Sequence, residues 1–142
     1  MHKKLNTVLL VDDDDGTNFI SQLIIERAGV ANAIVTALNG QEAIDYLTNC
    51  GKYQKEIDCP NPEPMLILLD INMPILDGWE FVDAYRNLPI NKTSKIIMLS
   101  STCNPDDKIR ADNIFEITEF KSKPLTYALL DDIMKTHFAE PV

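Results

Sequence analysis

The stretch that decides the fold is residues 65–78, which read Met-Leu-Ile-Leu-Leu-Asp-Ile-Asn-Met-Pro-Ile-Leu-Asp-Gly. It opens with the longest uninterrupted apolar run of the chain, Met65–Leu69, and Asp70 follows at once. An apolar run without alternating polar residues is typical of a strand that is buried on both faces, as in a parallel sheet. The Asn, Pro and Asp-Gly that come next are turn residues, so we expect a loop after Asp70. The run is far too short to span a bilayer.

On both sides of this stretch the chain repeats one order, a short apolar run followed by an amphipathic segment. The runs predict strands at residues 7–11, 33–38, 65–70, 95–100 and 117–121. The first segment between them predicts a helix that ends at Gly29, with Ile20, Leu23, Ile24 and Ala28 on its apolar face. The later segments predict helices at 40–50, 79–88 and 105–113, and a last helix from Thr126 to Pro141. Residues 51–64, which contain three prolines, predict an extended loop. Such alternation predicts an α/β fold with a parallel sheet and helices on both faces.

Length, charge and cysteine content narrow the class of protein. The 142 residues suffice for one domain, and 45% hydrophobic with 25% charged residues is an ordinary globular balance. The net charge of -9 argues against non-specific binding to nucleic acid or to anionic membranes. The three cysteines are odd in number and lack C-x-x-C spacing, and no secretory signal is visible. We therefore expect a reduced, cytoplasmic protein without an attached output domain.

Polar residues follow four of the five predicted strands. They are Asp12 to Asp15 after the first strand, Asp70 after the third, Ser100 and Ser101 after the fourth, and Lys123 with Pro124 after the fifth. Because ligands bind at the carboxyl ends of the strands in a doubly wound sheet, we expect these side chains to converge on one edge.

This set of side chains suits phosphoryl chemistry with a divalent cation. Clustered carboxylates raise one another's pKa unless a cation compensates, and Mg²⁺ favours carboxylate and phosphate oxygens. A carboxylate beside such an ion can act as a nucleophile toward a phosphoryl group, while a Lys neutralises charge and a Ser hydroxyl donates a hydrogen bond. Each residue alone also has a plain structural interpretation, such as Asp15 as the cap of the first helix. Their joint placement favours the functional one.

Four pieces of this sequence resemble the receiver domain of bacterial two-component response regulators, the CheY-like domain. They are Val11-Asp12-Asp13, the D-x-x-M-P-x-x-D-G pattern of residues 70–78, Met98-Leu99-Ser100-Ser101, and Lys123-Pro124-Leu125. The resemblance covers residues 5–138, approximately the whole chain. It implies a stand-alone receiver domain over residues 1–142, with a flavodoxin-like (βα)5 fold and strand order 2-1-3-4-5.

The resemblance also implies a metal and phosphorylation site. Asp70 would be the phosphoacceptor, and Asp13 would bind Mg²⁺ directly. Asp12 would assist through water, and Asn72 would offer its backbone carbonyl to the same ion. Together with Asp70, these residues form the implied Mg²⁺ site.

Further residues would respond to the phosphoryl group. The Ser100 hydroxyl would turn toward it, Lys123 would pair with its oxygens, and a cis peptide bond would precede Pro124. Phe120 stands where the family has a rotating aromatic residue, usually Tyr. We expect Cys103 to be a buried, inert thiol and Trp79 to pack in the core or at its edge.

The function that the resemblance implies is signalling rather than enzymatic turnover. A sensor histidine kinase or a histidine phosphotransfer protein would phosphorylate Asp70. The face of the fourth helix, fifth strand and fifth helix, with Ile109, Phe120 and Tyr127, would contact an unknown downstream protein.

One alternative is a phosphorelay intermediate that passes the group to a histidine phosphotransfer protein. Another is an aspartyl-phosphate phosphohydrolase of the haloacid dehalogenase group. Those enzymes carry a second Asp two residues after the nucleophile, where this chain has Asn72, which cannot transfer a proton.

Overall fold

The computed structural model describes residues 4–55 and 61–139. The elements are β1 (Leu5–Val11), α1 (Asp15–Ala28), β2 (Ala31–Ala37), α2 (Gly40–Leu47), β3 (Leu66–Asp70), α3 (Gly78–Arg86), β4 (Lys95–Ser100), α4 (Pro105–Asp112), β5 (Ile117–Ser122) and α5 (Tyr127–His137). All strand pairs are parallel, and the sheet order is β2-β1-β3-β4-β5. The predicted α/β fold class and strand order are confirmed. In the described parts of the chain, no helix has the length and apolar character that a membrane span requires.

The two faces of the sheet bury separate apolar clusters, because β1, β3 and β4 carry buried apolar side chains on both faces. One cluster packs the sheet against α2, α3 and α4, and its largest buried side chains include Phe81 and Tyr85. The other packs it against α1 and α5, through Ile25, Ile133 and Met134 among others. Side chains buried on both faces explain why the strands read as continuous apolar runs rather than as alternating ones.

The first helix differs from the prediction at its cap and on its buried face. Asp14, not Asp15, is the N-cap, and its side chain accepts hydrogen bonds from Gly16 N and from Thr17 Oγ1, each at 3.0 Å. The predicted apolar face is also wrong in part, because Ile20 and Ala28 are exposed and Ile25 is buried. The buried face of α1 includes two polar residues, Asn18 and Ser21, so the apolar spacing alone misplaced it.

The connection between α2 and β3 is more structured than the predicted loop. Helix α2 ends at Leu47 rather than near residue 50, and a single 3₁₀ turn, Gly51–Tyr53, follows it. The Tyr53 hydroxyl donates to Thr36 O at 2.7 Å, and the Tyr46 hydroxyl of α2 donates to Pro62 O at 2.7 Å. The segment is therefore tied to the body of the fold at both ends of its described part. Residues 56–60 of the predicted loop, and Pro141 as the predicted end of the last helix, lie outside the described residues; α5 ends at His137.

Candidate functional site

Three carboxylates meet at the carboxyl edge of the sheet, because β1 and β3 are neighbours in parallel register. Val11 pairs with Leu69, so Asp12 and Asp70 emerge side by side. One carboxylate oxygen from each of Asp12, Asp13 and Asp70 lies within 4.8 Å of the others. Asp12 is buried, Asp70 is half-buried and Asp13 is exposed, so the cluster opens to solvent on one side.

Lys123 lies between the two inner carboxylates. Its Nζ is 2.6 Å from Asp12 Oδ2 and 3.1 Å from Asp70 Oδ1. The backbone N–H of Lys123 donates to Ser100 O at 2.8 Å, and the peptide bond between Lys123 and Pro124 is cis. The ammonium group is thus held against both acids by the end of β5.

Burial and neighbouring charges both shift the pKa values of Asp70 and Lys123. Burial raises the pKa of the Asp70 carboxyl above its usual range, the nearby Asp12 charge raises it further, and Lys123 opposes both. For Lys123, burial alone would lower the pKa, but its hydrogen bonds and charge interactions with Asp12 and Asp70 outweigh burial and raise it. The lysine therefore stays cationic beside the acids, and the site retains excess negative charge.

Backbone contacts fix the orientation of the two inner acids, Asp12 and Asp70. Asp12 Oδ1 accepts a hydrogen bond from Asp14 N at 2.9 Å, and Asp70 Oδ1 accepts one from Ile71 N at 2.9 Å. The buried amide of Asn18 donates to Asp12 O at 2.9 Å. Asn18 was missed from the sequence, where its only signal is a polar residue one turn into α1. It locks the end of β1 that carries Asp12.

The Asp77-Gly78 pair of the motif has a structural explanation. Asp77 caps α3 in a capping box with Glu80, with Asp77 Oδ1 accepting from Glu80 N at 2.8 Å. A Cβ on Gly78 would lie 2.5 Å from Asp70 O, closer than real Cβ atoms approach backbone oxygens. Only glycine lets α3 begin this close to the end of β3. Asn72 lies exposed in the loop between them.

The loop after β4 holds the Ser100 hydroxyl by local contacts. Ser100 is buried, and its Oγ lies 3.2 Å from both the N–H and the Oγ1 of Thr102. Among the described residues no hydrogen bond joins Ser100 to Asp70. The expectation that Cys103 is a buried thiol is wrong: it is exposed, with φ 50°, and its Sγ lies 2.6 Å from Ser122 Oγ. The loop turns outward at this residue, which takes its side chain away from the core.

The face formed by α4, β5 and α5 leaves large apolar side chains exposed. Phe120 is half-buried, while Ile109 and Tyr127 are exposed. Trp79 is buried at the start of α3, as expected, and the Arg110 guanidinium of α4 stacks 4.2 Å from its ring centroid.

The donor set at the carboxyl edge fits a hard divalent cation. Mg²⁺ and Mn²⁺ prefer oxygen ligands, and one or two carboxylates with open positions for water and phosphate are the usual protein contribution. Asp12, Asp13 and Asp70 supply such oxygens, and the exposed Asp13 leaves a way in from solvent. The predicted Mg²⁺ site is thus compatible with the geometry of the cluster.

A comparison of the sequence with known protein families identifies the family of this chain. Residues 8–135 match the model of the response regulator receiver domain. The chain therefore belongs to the receiver family of two-component systems, a family of signalling proteins that bind Mg²⁺ or Mn²⁺ at an Asp cluster and interact with histidine kinases and downstream partners.

Individual relatives place the chain within that family. It is 32% identical over 130 residues to two-component response regulator 24 of Arabidopsis thaliana, covering 90% of this chain and 81% of the relative. A two-component response regulator from Cytophaga hutchinsonii superimposes with a TM-score of 0.80 at 32% identity, over 94% of this chain and 96% of that one. The phosphorylated cyanobacterial phytochrome response regulator RcpA superimposes with a TM-score of 0.72 at 28% identity, over 95% and 90%. The chain is thus similar to phytochrome response regulators, among others.

Proposed function

We propose that this protein accepts a phosphoryl group on Asp70 from a phosphohistidine and signals through a phosphorylation-dependent protein contact. The observation that carries the proposal is the position of the Asp70 carboxylate, 3.1 Å from the Lys123 ammonium and grouped with Asp12 and Asp13. The proposal covers a single receiver domain with its core at residues 5–138, working in the cytoplasm. The donor would be a sensor histidine kinase or a histidine phosphotransfer protein.

The transfer step follows from the groups around Asp70. A carboxylate oxygen of Asp70 forms a bond to phosphorus while the phosphorus–nitrogen bond of the phosphohistidine breaks, and the imidazole keeps the electron pair and takes up a proton. Lys123 donates a hydrogen bond to the phosphoryl oxygens. Asp12, Asp13, Asp70 and the backbone carbonyl of Asn72 would hold Mg²⁺, which when bound neutralises charge on those oxygens.

The donor protein needs a surface beside this site. Two large apolar side chains of α1, Phe19 and Ile20, are 60% and 54% exposed, and they border a groove that also contains Pro124 and Leu125. Asp14 lies at the same groove, at the edge that carries the acids. An exposed apolar patch that borders a reaction site suits a protein contact. We assign the approach of the phosphohistidine-bearing donor protein to this groove.

The output follows from the response of the polar groups. A phosphoryl group on Asp70 would add negative charge and strong acceptor oxygens, on which Ser100 and Lys123 close. Movement of Ser100 would let Phe120 rotate, because both lie on the same side of the sheet edge in the neighbouring strands β4 and β5. The face with Ile109 and Tyr127 would then contact the downstream partner in a changed form.

A phosphorelay intermediate would use the same residues and differ only in passing the group onward. Rapid transfer from the phosphorylated protein to a purified histidine phosphotransfer domain would favour it. A phosphohydrolase would need an acid or base two residues after Asp70. The exposed amide of Asn72 cannot supply one, so this alternative is disfavoured.

The test is intact-mass analysis after incubation with Mg²⁺ and acetyl phosphate. The parent should gain one phosphoryl group, and it should gain none with a chelator present. Asp70→Asn should gain none, whereas the matched variant Asp77→Asn, at the cap of α3, should be labelled like the parent. Labelling of Asp70→Asn at the parent's level would overturn the assignment. If the parent gains nothing, binding of beryllofluoride would indicate fast hydrolysis, and failure to bind it would reject the site.

A further inference from the structure

The hydroxyl that has to reach the phosphoryl group is already engaged elsewhere. Ser100 Oγ accepts a hydrogen bond from Thr102 N at 3.2 Å and lies 3.2 Å from Thr102 Oγ1. A serine hydroxyl has one proton to donate. Either hydroxyl can be the donor in the pair, and Ser100 is buried while Thr102 is exposed. Turning of the Ser100 hydroxyl toward a group on Asp70 moves Oγ away from Thr102, so that movement competes with both contacts.

The next residue restrains the same loop. Cys103 has a left-handed backbone, with φ 50°, and its Sγ lies 2.6 Å from Ser122 Oγ at the end of β5. Ser122 in turn pairs in register with Ser100. The loop from Ser100 to Cys103 is thus tied at two points to the strand ends beside Lys123.

We propose that Thr102 is a positioning residue that holds the Ser100 hydroxyl in the unphosphorylated arrangement and so sets the balance between the two states of the switch. This inference rests on the proposed function. The contact exists in the free protein and has to break when Ser100 turns to the phosphoryl group. An interaction that is present in only one state stabilises that state, so its removal shifts the equilibrium toward the other.

The matched variants are Thr102→Val and Thr102→Ser. Valine keeps the branched shape and the backbone N–H but removes the hydroxyl that Ser100 contacts. Serine keeps the hydroxyl and serves as the control. Calorimetric titration with beryllofluoride in the presence of Mg²⁺ measures how readily each protein adopts the liganded state.

Thr102→Val should bind beryllofluoride about threefold to tenfold more tightly than the parent, which is the fold-change that one hydrogen bond of ordinary strength produces. Thr102→Ser should stay within about twofold of the parent, because the contact is retained. Unchanged or weaker binding by Thr102→Val would overturn the inference.

A second measurement separates positioning from a general structural role. In denaturant unfolding, Thr102→Val should be less stable than the parent without beryllofluoride and equal to it at saturating beryllofluoride, because its tighter binding offsets the loss in the free protein. Equal destabilisation in both states would show a merely structural role and would contradict the inference. If the parent does not bind beryllofluoride, the proposed function fails and this inference fails with it. If the parent binds but Thr102→Val binds equally well, only the inference fails.

Discussion

The carboxyl edge around Asp70 and the side of the molecule formed by α4 and β5 are built in different ways. At the edge, Lys123 pairs with two acids whose side chains are only 8% and 12% exposed, and the strands behind them are buried on both faces. Helix α4, in contrast, buries one residue, Ala111, and carries the exposed Ile109. The strands behind the acids are closely packed, whereas α4 has little buried side-chain surface.

This difference suits two separate tasks, a chemical step at the edge around Asp70 and a conformational response at α4 and β5. Charged groups that are already oriented need little reorganisation when a phosphoryl group arrives. Elements with few buried apolar contacts can rearrange at low cost in free energy. Helix α4 is held by the buried Ala111 and by a cation–π contact of Arg110 on the ring of Trp79. Under the proposed function, the protein thus combines a rigid acceptor site with an adaptable output face.

The largest contrast should appear in matched truncations of two isoleucines. Ile97, in β4, is fully buried, and Ile97→Ala should lower the free energy of unfolding by about 4 kcal/mol through lost burial and a cavity. Ile109, in α4, is 59% exposed, and Ile109→Ala should change it by less than about 0.5 kcal/mol. Urea unfolding measures both. Similar losses for the two variants would contradict the difference in packing.

A methyl group at Gly78 should be nearly as damaging. The added Cβ would lie 2.5 Å from Asp70 O and 3.0 Å from Ile71 Cα, both backbone atoms that cannot move aside cheaply. Gly78→Ala should therefore cost about 3 kcal/mol of stability and reduce labelling by acetyl phosphate. Gly16→Ala is the control, since its Cβ would meet only the flexible Asp14 side chain at 3.3 Å and alanine favours the helix. Gly78→Ala that unfolds like the parent would show that the close approach is not needed.

Removal of the Lys123 ammonium group should lower the stability by an intermediate amount. Lys123→Met leaves the Asp12 and Asp70 carboxylates facing each other without compensation, which should cost about 2 kcal/mol at neutral pH. Mg²⁺ should restore part of this stability, because it supplies positive charge to the same oxygens. Thermal unfolding with and without Mg²⁺ measures the difference. A variant as stable as the parent in the absence of Mg²⁺ would show that the lysine does not balance the acids.

The smallest effect on stability concerns Glu119 of β5. Burial would raise its pKa, but the hydrogen bond with His137, at 2.7 Å, and the charge of Lys121 outweigh burial and lower the pKa from its ordinary value of 4.5. A lowered pKa adds stability above the unfolded value, and this stability is lost as pH falls through the folded value.

Above about pH 5, Glu119→Gln should therefore be less stable than the parent by about 0.5 kcal/mol. At strongly acidic pH the two proteins should be equally stable. Denaturant unfolding across the acid range measures the gap. A gap that stays constant with pH would mean that the carboxylate charge is not its cause.

Local patterns in the sequence predicted the α/β class and the convergence of the site, whereas the strand order came from the resemblance to receiver domains. Continuous apolar runs mark strands buried on both faces, and the carboxyl ends of such strands share one edge, so Asp12, Asp70 and Lys123 had to meet. The cap of α1 could not be predicted, because Asp14 and Asp15 are equally able to accept hydrogen bonds and the backbone decides between them. The exposure of Ile20 and Cys103 depends on tertiary packing and on a loop turn that no periodicity encodes. The engagement of Ser100 by Thr102 likewise required atomic positions.

Hydrogen exchange of the backbone amides, with Mg²⁺ and with or without beryllofluoride, tests the contrast between the two regions most directly. At short exchange times, which report local opening, the ligand should change protection in residues 101–122, which span the loop after β4, α4 and β5. Protection in β1 and in β3 before Asp70 should remain as in the free protein. Changes spread evenly over the sheet, or a liganded protein whose residues 101–122 exchange as before, would contradict the account of a rigid acceptor site coupled to an adaptable output face.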